Sequence, residues 1–271
     1  MNPLLKSREF LFLKKSNMNA ALYNTLLEEK RGWISKIPDN KKAVMLISGG
    51  YDSIATAARL IEDFGMELYP MYVNRDARNK EGELASLKFF TKYFRDRYGK
   101  DSFHEVFQPN ISVPPLEIKE RLQEYAKSHR YPMRDFIMQM FASQYAVTLE
   151  GDVRVICNGV ISTDSIADVG IARVNTLAIC EMTKDWEWQI LSINVDENIT
   201  NKSFSKKDEI EWAIEHDIPM EHTMTCWTPI KQDNYLYHCG ECYACAERQT
   251  GFKDAGYQDP TKYFNQLNEK E

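Results

Sequence analysis

From residue 43 to residue 53 the chain reads Ala43-Val44-Met45-Leu46-Ile47-Ser48-Gly49-Gly50-Tyr51-Asp52-Ser53, and this sequence sets the fold class. Its first five residues form a continuous apolar run, which is typical of a strand buried on both faces of a parallel sheet. A helical segment follows the glycine loop and extends to about Phe64. A loop that runs from a buried strand into a helix N-terminus presents unpaired backbone N–H groups, which bind phosphate oxygens. We therefore expect a strand, a phosphate-binding loop and a helix.

The glycine loop excludes two common nucleotide sites. It lacks the Gly-Lys-Ser/Thr ending of a Walker A motif and the three-glycine spacing of a dinucleotide fingerprint. Neither transfer of a γ-phosphoryl group nor a nicotinamide cofactor is therefore expected. A structural alternative is a tight turn in which the side chain of Asp52 or Ser53 caps the helix. The position of the loop between a predicted strand and a predicted helix favours phosphate binding.

The rest of the chain alternates between strand and helix patterns, which predicts an α/β fold with a doubly wound, five-stranded parallel sheet. Besides the first strand, strands are expected at residues 67–73, 103–107, 153–157 and 189–193, and helices at 82–98, 116–127, 135–149 and near 174–182. A further helix is expected at residues 18–33. The expected organisation is a helical N-terminal extension (1–42), the α/β domain (43–220) and a metal-binding C-terminal segment (221–271).

Charge and composition limit the classes of partner. The chain has 34 basic and 40 acidic side chains, a net charge of −6, so no general attraction to nucleic acid or to an anionic membrane is expected. We find no apolar run of about 18 residues and no signal-peptide core, so a cytoplasmic location without membrane contact is expected. Four of the six cysteines lie in the C-terminal quarter, which is typical of a metal site and fits a reducing compartment.

Those four cysteines are Cys226, Cys239, Cys242 and Cys245, with the spacing C-x12-C-x2-C-x2-C. Four thiolates complete a tetrahedral shell and leave no open position, which predicts a structural Zn²⁺. An iron–sulfur cluster would also accept four thiolates, although the knuckle-like triplet favours zinc.

Four other residues near or outside the cysteine cluster have simpler interpretations. His222 and His238 are close enough in sequence to be substitute ligands, but four cysteines already complete the shell, so we interpret both as supporting or surface groups. Cys157 and Cys180 lie in apolar segments and are expected to be buried, inert thiols.

The loop from Ser48 to Ser53 resembles the SGGxDS loop of the N-type ATP pyrophosphatases, whose fold is the adenine nucleotide alpha hydrolase type. In that superfamily the loop holds pyrophosphate while a substrate oxygen attacks the α-phosphorus of ATP. The resemblance implies ATP, bound with Mg²⁺, as a co-substrate, and adenylation with release of pyrophosphate.

Several further segments resemble the 7-cyano-7-deazaguanine synthase family, called QueC. They are Cys239 to Cys245 followed by Arg248 and Phe252, the run from Ser205 to Ile210 that leads to Thr225-Cys226-Trp227, Tyr131 to Asp135, and Tyr72 to Arg75 with Glu83-Leu84. The resemblance extends over about residues 43 to 256. It implies that ATP and ammonia convert the carboxylate of a 7-deazaguanine to an amide and then to a nitrile.

Site residues follow from this resemblance. Ile47 and the loop residues Ser48, Gly49, Gly50, Tyr51, Asp52 and Ser53 would bind ATP together with Gly159, and Asp52 would be catalytic. Arg134 and Lys207 would face the reacting groups, and Arg75 and Arg134 would bind the substrate. Cations are reasonable there because adenylation accumulates negative charge. The simpler alternatives are a solvated Lys207, an ion-paired Arg134 and a surface Arg75.

The sequence also departs from the family pattern. Val73 and Asn74 replace a glycine and a glutamine, Asp135 replaces an asparagine, residues 114–130 differ from the usual substrate-facing loop, and about forty residues precede the first strand. The extension could form a partner interface, and family members often form homodimers. Some QueC-like proteins are associated with antiphage defence, and the alternative function is the chemistry proposed for them, which joins the adenylated carboxylate to a protein amine in place of ammonia. A nucleotide-binding protein without catalysis and a tRNA thiolation enzyme are further alternatives.

Overall fold

A four-stranded parallel sheet forms the centre of the protein in this computed structural model, which describes residues 20–128, 131–162 and 169–267. The strands are β1 (Lys42–Leu46), β2 (Glu67–Met71), β3 (Val155–Cys157) and β4 (Gln189–Leu191), and their spatial order is β2-β1-β3-β4. The chain leaves β1 for β2 on one side and returns to β3 on the other. The strand order therefore reverses between β1 and β3, which is where ligands bind in open α/β sheets.

The helices are α1 (residues 20–31), α2 (Tyr51–Glu62), α3 (Lys80–Tyr98), α4 (Leu116–Ser128), α5 (Arg134–Ala146), α6 (Val169–Thr183), α7 (Glu197–Thr200), α8 (Lys206–Glu215) and α9 (Tyr243–Ala255). A 3₁₀ turn (Met220–His222) precedes an antiparallel hairpin of β5 (Ile230–Gln232) and β6 (Tyr235–Tyr237). Among the described helices, none combines the length and the apolar character needed to cross a bilayer.

Strand β1 shows why helices cover both faces of the sheet. Ala43 and Met45 are buried against Ile54 of α2 and Phe90 of α3, whereas Val44 is buried in the opposite cluster with α5 and α6. Successive side chains of a strand point to opposite faces, so an uninterrupted apolar strand needs a cover on each face. The predicted fold class, a parallel sheet between helices, is confirmed.

The predicted strand at residues 103–107 is reduced to two isolated parallel bridges, Leu68 with Phe103 and Met71 with Phe107. The amide of Leu68 donates to the Ser102 carbonyl at 2.9 Å, but Pro70, two residues later on the same edge, has no N–H to donate. The ladder is therefore interrupted, and four strands are formed where five were expected.

The helix predicted at residues 18–33 is observed at 20–31, and residues 1–19 lie outside the described part of the chain. The Arg31 guanidinium anchors this helix to the sheet, because Nη1 donates to the carbonyls of Trp186 at 3.2 Å and Trp188 at 2.7 Å. Arg173 of α6 adds a hydrogen bond to Asn24 at 3.0 Å. The extension is thus attached next to β4.

We expect Gly49→Ala to destabilise the protein more than Gly32→Ala. Both glycines have positive φ, 77° and 79°, where a side chain costs roughly 1–2 kcal/mol. A Cβ on Gly49 would lie 2.7 Å from the Glu83 carbonyl oxygen, whereas a Cβ on Gly32 has no neighbour within 4 Å. The collision adds about 1–3 kcal/mol at Gly49. Urea unfolding measures the decrease in the free energy of unfolding for each variant. An equal decrease in Gly49→Ala and Gly32→Ala would contradict the prediction.

Candidate active site

A cavity of about 280 Å³ opens at the carboxyl ends of β1 and β3, where the strand order reverses. The predicted site residues that line it are Ile47, Ser48, Gly50, Asp52, Ser53, Arg75, Arg134 and Gly159. The fold therefore brings together residues that are up to about one hundred positions apart in the sequence. This is the crevice in which the topology of the sheet favours a ligand.

Hydrogen bonds within the loop fix its shape. The Ser53 hydroxyl accepts from the Ser48 amide at 3.2 Å and donates to the Gly50 carbonyl at 2.9 Å. Gly50 is the N-cap of α2 and supplies no side-chain hydrogen bond to the helix. The first-turn N–H groups of α2 have no partner within the helix, which suits an anion at this end.

Two of the predicted ATP-binding residues lie beside the cavity and do not line it. The Gly49 carbonyl accepts from the Ser86 hydroxyl at 2.8 Å and from the Met224 amide at 2.9 Å, so this residue ties the loop to the surrounding structure. The Tyr51 side chain is fully buried in the core. Successive side chains of a helix differ by about 100° in direction, so at the start of α2 Tyr51 points inward and Asp52 toward the cavity.

Gly159 follows β3 and packs directly against the loop. A Cβ at this position would lie 2.9 Å from the Ser53 Cα and 3.0 Å from both the Asp52 carbonyl oxygen and the Ser53 amide nitrogen. These neighbours are backbone atoms, which cannot rotate away as a side chain can. Glycine is therefore required for the close approach of the two segments.

Arg75 and Arg134 are two cations in the cavity wall. Arg75 Nη2 pairs at 2.8 Å with Oε1 of Glu83, a buried carboxylate that also accepts from the Tyr72 hydroxyl at 2.7 Å. Arg134 Nε donates to Oδ1 of Asp135 at 2.9 Å. These partners orient both guanidinium groups. The pKa of Tyr72 is raised by burial and by the neighbouring Glu83 carboxylate. Arg134 has the ion-pair partner of its simpler alternative, Arg75 is ion-paired and partly buried, and both also lie in the cavity wall.

Four thiols form the C-terminal cluster, because the Sγ atoms of Cys226, Cys239, Cys242 and Cys245 all lie within 4.8 Å of one another. Three of the separations are 3.9 Å, 3.9 Å and 3.5 Å. A tetrahedral zinc with Zn–S bonds of about 2.3 Å requires sulfur atoms about 3.8 Å apart. The cluster therefore has the geometry to hold a metal such as zinc.

Hydrogen bonds from the polypeptide favour ionised sulfur in this cluster. The Cys239 amide donates to Cys226 Sγ at 3.2 Å, and the Cys242 amide donates to Cys239 Sγ at 3.3 Å. The pKa of Cys226 is lowered to about 5, mainly by a hydrogen bond from the Cys245 thiol. Burial opposes this effect, and the hydrogen bond from the Cys239 amide adds to it. Thiolate is the form that binds a metal.

The histidines and the remaining cysteines lie outside this cluster. His238 is buried with Nε2 at 3.2 Å from the Thr223 carbonyl oxygen, and His222 stacks on Phe89. Burial raises the pKa of the Cys157 thiol and raises that of Cys180 to about 11. Both thiols are therefore weak nucleophiles at neutral pH.

Comparison with known proteins now identifies the family. The family model described as queuosine biosynthesis protein QueC matches residues 42–256. The chain belongs to the QueC family. It is 28% identical over 235 residues to the 7-cyano-7-deazaguanine synthase of Rickettsia felis, which covers 82% of this chain and 99% of that protein. The synthase of Thermoplasma volcanium is also 28% identical over 235 residues, 82% of this chain and 91% of that protein.

Similarity to solved structures is weaker. The NMN synthetase of Francisella tularensis is 12% identical with a TM-score of 0.39, and the match covers 93% of this chain and 91% of that one. This similarity is too low to support an argument about function.

In this QueC family member the structure places two adjacent lysines of α8 differently. Lys207 is half exposed and pairs with Glu211 at 3.6 Å, and it does not line the cavity. Lys206 is buried, and its Nζ lies 2.7 Å from Asp52 Oδ1. The catalytic role expected for Lys207 stays a prediction, and the neighbouring Lys206 is the lysine that contacts the loop.

A sequence signal for Lys206 was present. Ser205 and Asp208 form a capping box, which fixes the first residue of α8. Counted from that start, the inward positions i, i+3, i+4 and i+7 are Lys206, Glu209, Ile210 and Ala213, and all four are buried. The helical periodicity therefore could have distinguished Lys206 from Lys207.

The same periodicity places Glu209 in a polar network under the loop. Glu209 is completely buried, and its Oε1 accepts from Thr56 Oγ1 and Asn194 Nδ2, both at 3.4 Å. Arg59 donates to Asn194 at 2.5 Å. Burial raises the pKa of Glu209 well above its usual range, and the Asp52 carboxylate raises it further. Glu209 therefore keeps its proton at a higher pH than an exposed glutamate does.

We expect the wild-type protein to become less stable as the pH rises, and the Glu209→Gln variant to show less of this decrease. The pKa of Glu209 is higher in the folded protein than in the unfolded chain, where it is about 4.5. The contribution of protonated Glu209 to the free energy of unfolding is therefore complete below about pH 4.5 and is lost as the pH rises through the folded pKa. The slope for one proton is at most about 1.4 kcal/mol per pH unit. Glutamine is neutral at every pH and keeps the amide oxygen as an acceptor. Urea unfolding between about pH 5 and about pH 8 measures the slope.

The control for this experiment is Glu215→Gln, which changes an exposed glutamate of the same helix. This variant should keep the slope of the wild-type protein. If Glu209→Gln and the wild-type protein lose stability equally with rising pH, the proposed protonation of Glu209 is wrong.

Proposed function

We propose that this QueC family member uses two molecules of ATP to convert the carboxylate of a 7-deazaguanine, with ammonia, to 7-cyano-7-deazaguanine. The observation that carries the proposal is the position of the SGGxDS loop. It joins β1 to the N-terminus of α2, whose N-cap is Gly50, at the reversal of the strand order, and Arg75 and Arg134 lie in the same cavity. Membership of a family of synthases supports the same reaction.

The reaction proceeds in two adenylations. A carboxylate oxygen attacks the α-phosphorus of ATP, the bond to pyrophosphate breaks, and an acyl-adenylate forms. Ammonia attacks the acyl carbon and displaces AMP, and loss of a proton leaves the amide. The amide oxygen then attacks a second ATP, and departure of AMP with loss of the remaining N–H protons gives the nitrile. Each adenylation therefore releases one pyrophosphate and one AMP.

The residues of the cavity would act by position and charge. The N–H groups at the start of α2 would hold pyrophosphate oxygens, and Gly159 lets the loop approach β3 closely. Arg75 and Arg134 would hold the substrate carboxylate against the α-phosphate and stabilise the negative charge of the transition state. Mg²⁺, when bound to the phosphates, would neutralise part of this charge, and Asp52 is the carboxylate of the loop that could hold it.

In the C-terminal segment, Cys226, Cys239, Cys242 and Cys245 would hold a structural Zn²⁺. Four thiolates saturate a tetrahedral ion, so its contribution would be to folding. We also propose that residues 221–271 form a unit of their own next to the α/β domain of residues 43–220.

A second candidate, amide formation with a protein amine, is favoured by one specific observation. A cavity of about 410 Å³ adjoins the first one, and both are lined by Arg75 and Arg134. Its other walls include Arg78, Pro114 and Lys119. Ammonia needs no opening of this size, whereas a larger amine must reach the acyl carbon through one.

One assay separates the candidates. The purified protein is incubated with ATP, Mg²⁺, ammonium and 7-carboxy-7-deazaguanine, and pyrophosphate and the mass of the product are followed, with Asp52→Ala as the inactive control. Free nitrile with two pyrophosphates per product supports the synthase. One pyrophosphate with an amide or a protein adduct supports the second candidate. Absence of ATP turnover with the carboxylate would contradict both.

A further inference from the structure

Lys206 makes a largely buried ion pair with Asp52 of the glycine loop (residues 48–53). Its Nζ lies 2.7 Å from Asp52 Oδ1, and the two side chains are 10% and 26% exposed. Burial lowers the pKa of Lys206, and the nearby Glu209 and Glu247 carboxylates oppose this effect. A buried charge without its partner is costly, so Lys206 restrains the Asp52 side chain. The pair thereby connects the first turn of α8 to the first turn of α2.

The C-terminal helix α9 confines Lys206 in this position. A Cβ on Gly251 would lie 2.7 Å from Lys206 Cγ and 2.8 Å from Ile210 Cδ1, so α9 touches the aliphatic part of the lysine. On the other side, Nζ lies 4.5 Å from the centroid of the Tyr51 ring. With one wall formed by α9 and the other by α2, the ammonium group is directed at Asp52.

The C-terminal segment also contacts the other end of the loop. The Met224 amide, two residues before Cys226, donates to the Gly49 carbonyl at 2.9 Å. The segment that carries the four cysteines thus contacts the loop directly at Gly49 and indirectly at Asp52.

We propose that Lys206 is a positioning residue that holds Asp52, and that Gly251 of α9 keeps Lys206 in place. The C-terminal segment then sets the conformation of the loop in addition to binding a metal. The meaning of this arrangement for catalysis rests on the proposed function, since Asp52 belongs to the ATP loop. The arrangement itself concerns only contacts within this chain.

Hydrogen exchange measured by mass spectrometry on the full-length, metal-loaded protein tests the positioning. In Lys206→Met and in Gly251→Ala, amides of the peptide that spans residues 48–56 should exchange about tenfold faster. Lys253→Met and Thr250→Ala change exposed residues of α9 and should leave this peptide unchanged. Wild-type exchange in folded Lys206→Met and Gly251→Ala would overturn the proposal.

A double-mutant cycle with MgATP separates a positioning role from a merely structural one. Lys206→Met removes the cationic partner of Asp52 near the phosphates and should weaken MgATP binding about tenfold. In the Asp52→Asn background the same substitution should have no further effect, because Lys206 acts through Asp52. An equal loss in both backgrounds would overturn the proposal. If the wild-type protein binds no MgATP, the proposed function fails, and the exchange experiment still decides the positioning.

Discussion

Replacing Cys245 by serine should abolish metal binding by the four-cysteine cluster and unfold the loops around it. Cys245 is fully buried, and its thiol is one of the four that surround a common centre. A neutral hydroxyl is a poor substitute for a thiolate. Loss of a group that merely orients a ligand already costs about 10–100-fold in metal affinity, so loss of a ligand should cost more than about 100-fold.

The effect on folding should be large around the cysteines because few other apolar groups are buried there. The buried members of that hydrophobic cluster are Met224, Tyr263 and three of the cysteines themselves, whereas Phe252 of α9 is buried in the main core. In small metal-binding units the free energy of metal binding is the free energy of folding. Metal content by mass spectrometry, together with proteolysis of residues 221–267, measures both effects.

The matched control is Cys180→Ser. Cys180 is also buried, but its thiol donates to the Trp188 carbonyl at 3.3 Å, and a hydroxyl can make the same hydrogen bond. This variant should keep its metal. Equal metal content in Cys245→Ser and the wild-type protein would show that the four thiols do not form the metal site.

Gly159→Ala should reduce ATP-dependent pyrophosphate release by about 100-fold, because a displacement of about 1 Å in an active site can have an effect of this size. The added Cβ would lie 2.9 Å from the Ser53 Cα and 3.0 Å from two further backbone atoms of the loop. Only movement of the loop or of β3 relieves this contact. Steady-state kinetics with ATP and the carboxylate measures the loss, which should appear in kcat as well as in KM.

Gly65→Ala is the control for the loss of a glycine. Gly65 follows α2, and a Cβ there has no neighbour within 4 Å, although its φ of 65° makes alanine strained. This variant should lose some stability and keep its activity at low temperature. A Gly159→Ala enzyme with wild-type kinetics would show that the loop tolerates the shift, and the contact between β3 and the loop would then have no catalytic importance.

Where the information lies in consecutive residues, prediction from the sequence was accurate. The apolar run at residues 43–47 was predicted as a buried strand, and its side chains do pack against the helices on one face of the sheet or the other. The cysteine spacing brings the thiols together because the two short links run from Cys239 through the N-cap residue Cys242 to Cys245 in the first turn of α9. The strand predicted at residues 103–107 is not formed, although its own pattern is that of a strand. The neighbouring strand β2 has Pro70 where an N–H donor is needed for the pairing.

The sequence by itself determined the strand–loop–helix unit, the four cysteines and the family resemblance, since each is encoded in a short run of residue types. The capping box and the helical period place Lys206, and not Lys207, on the inner face of α8. Only the tertiary structure decided that this face meets Asp52, and that Tyr51 is buried beside a loop that lines the cavity. The partner of a buried helix face depends on the elements that pack against it, here α2 and α9, and these lie far away in the sequence.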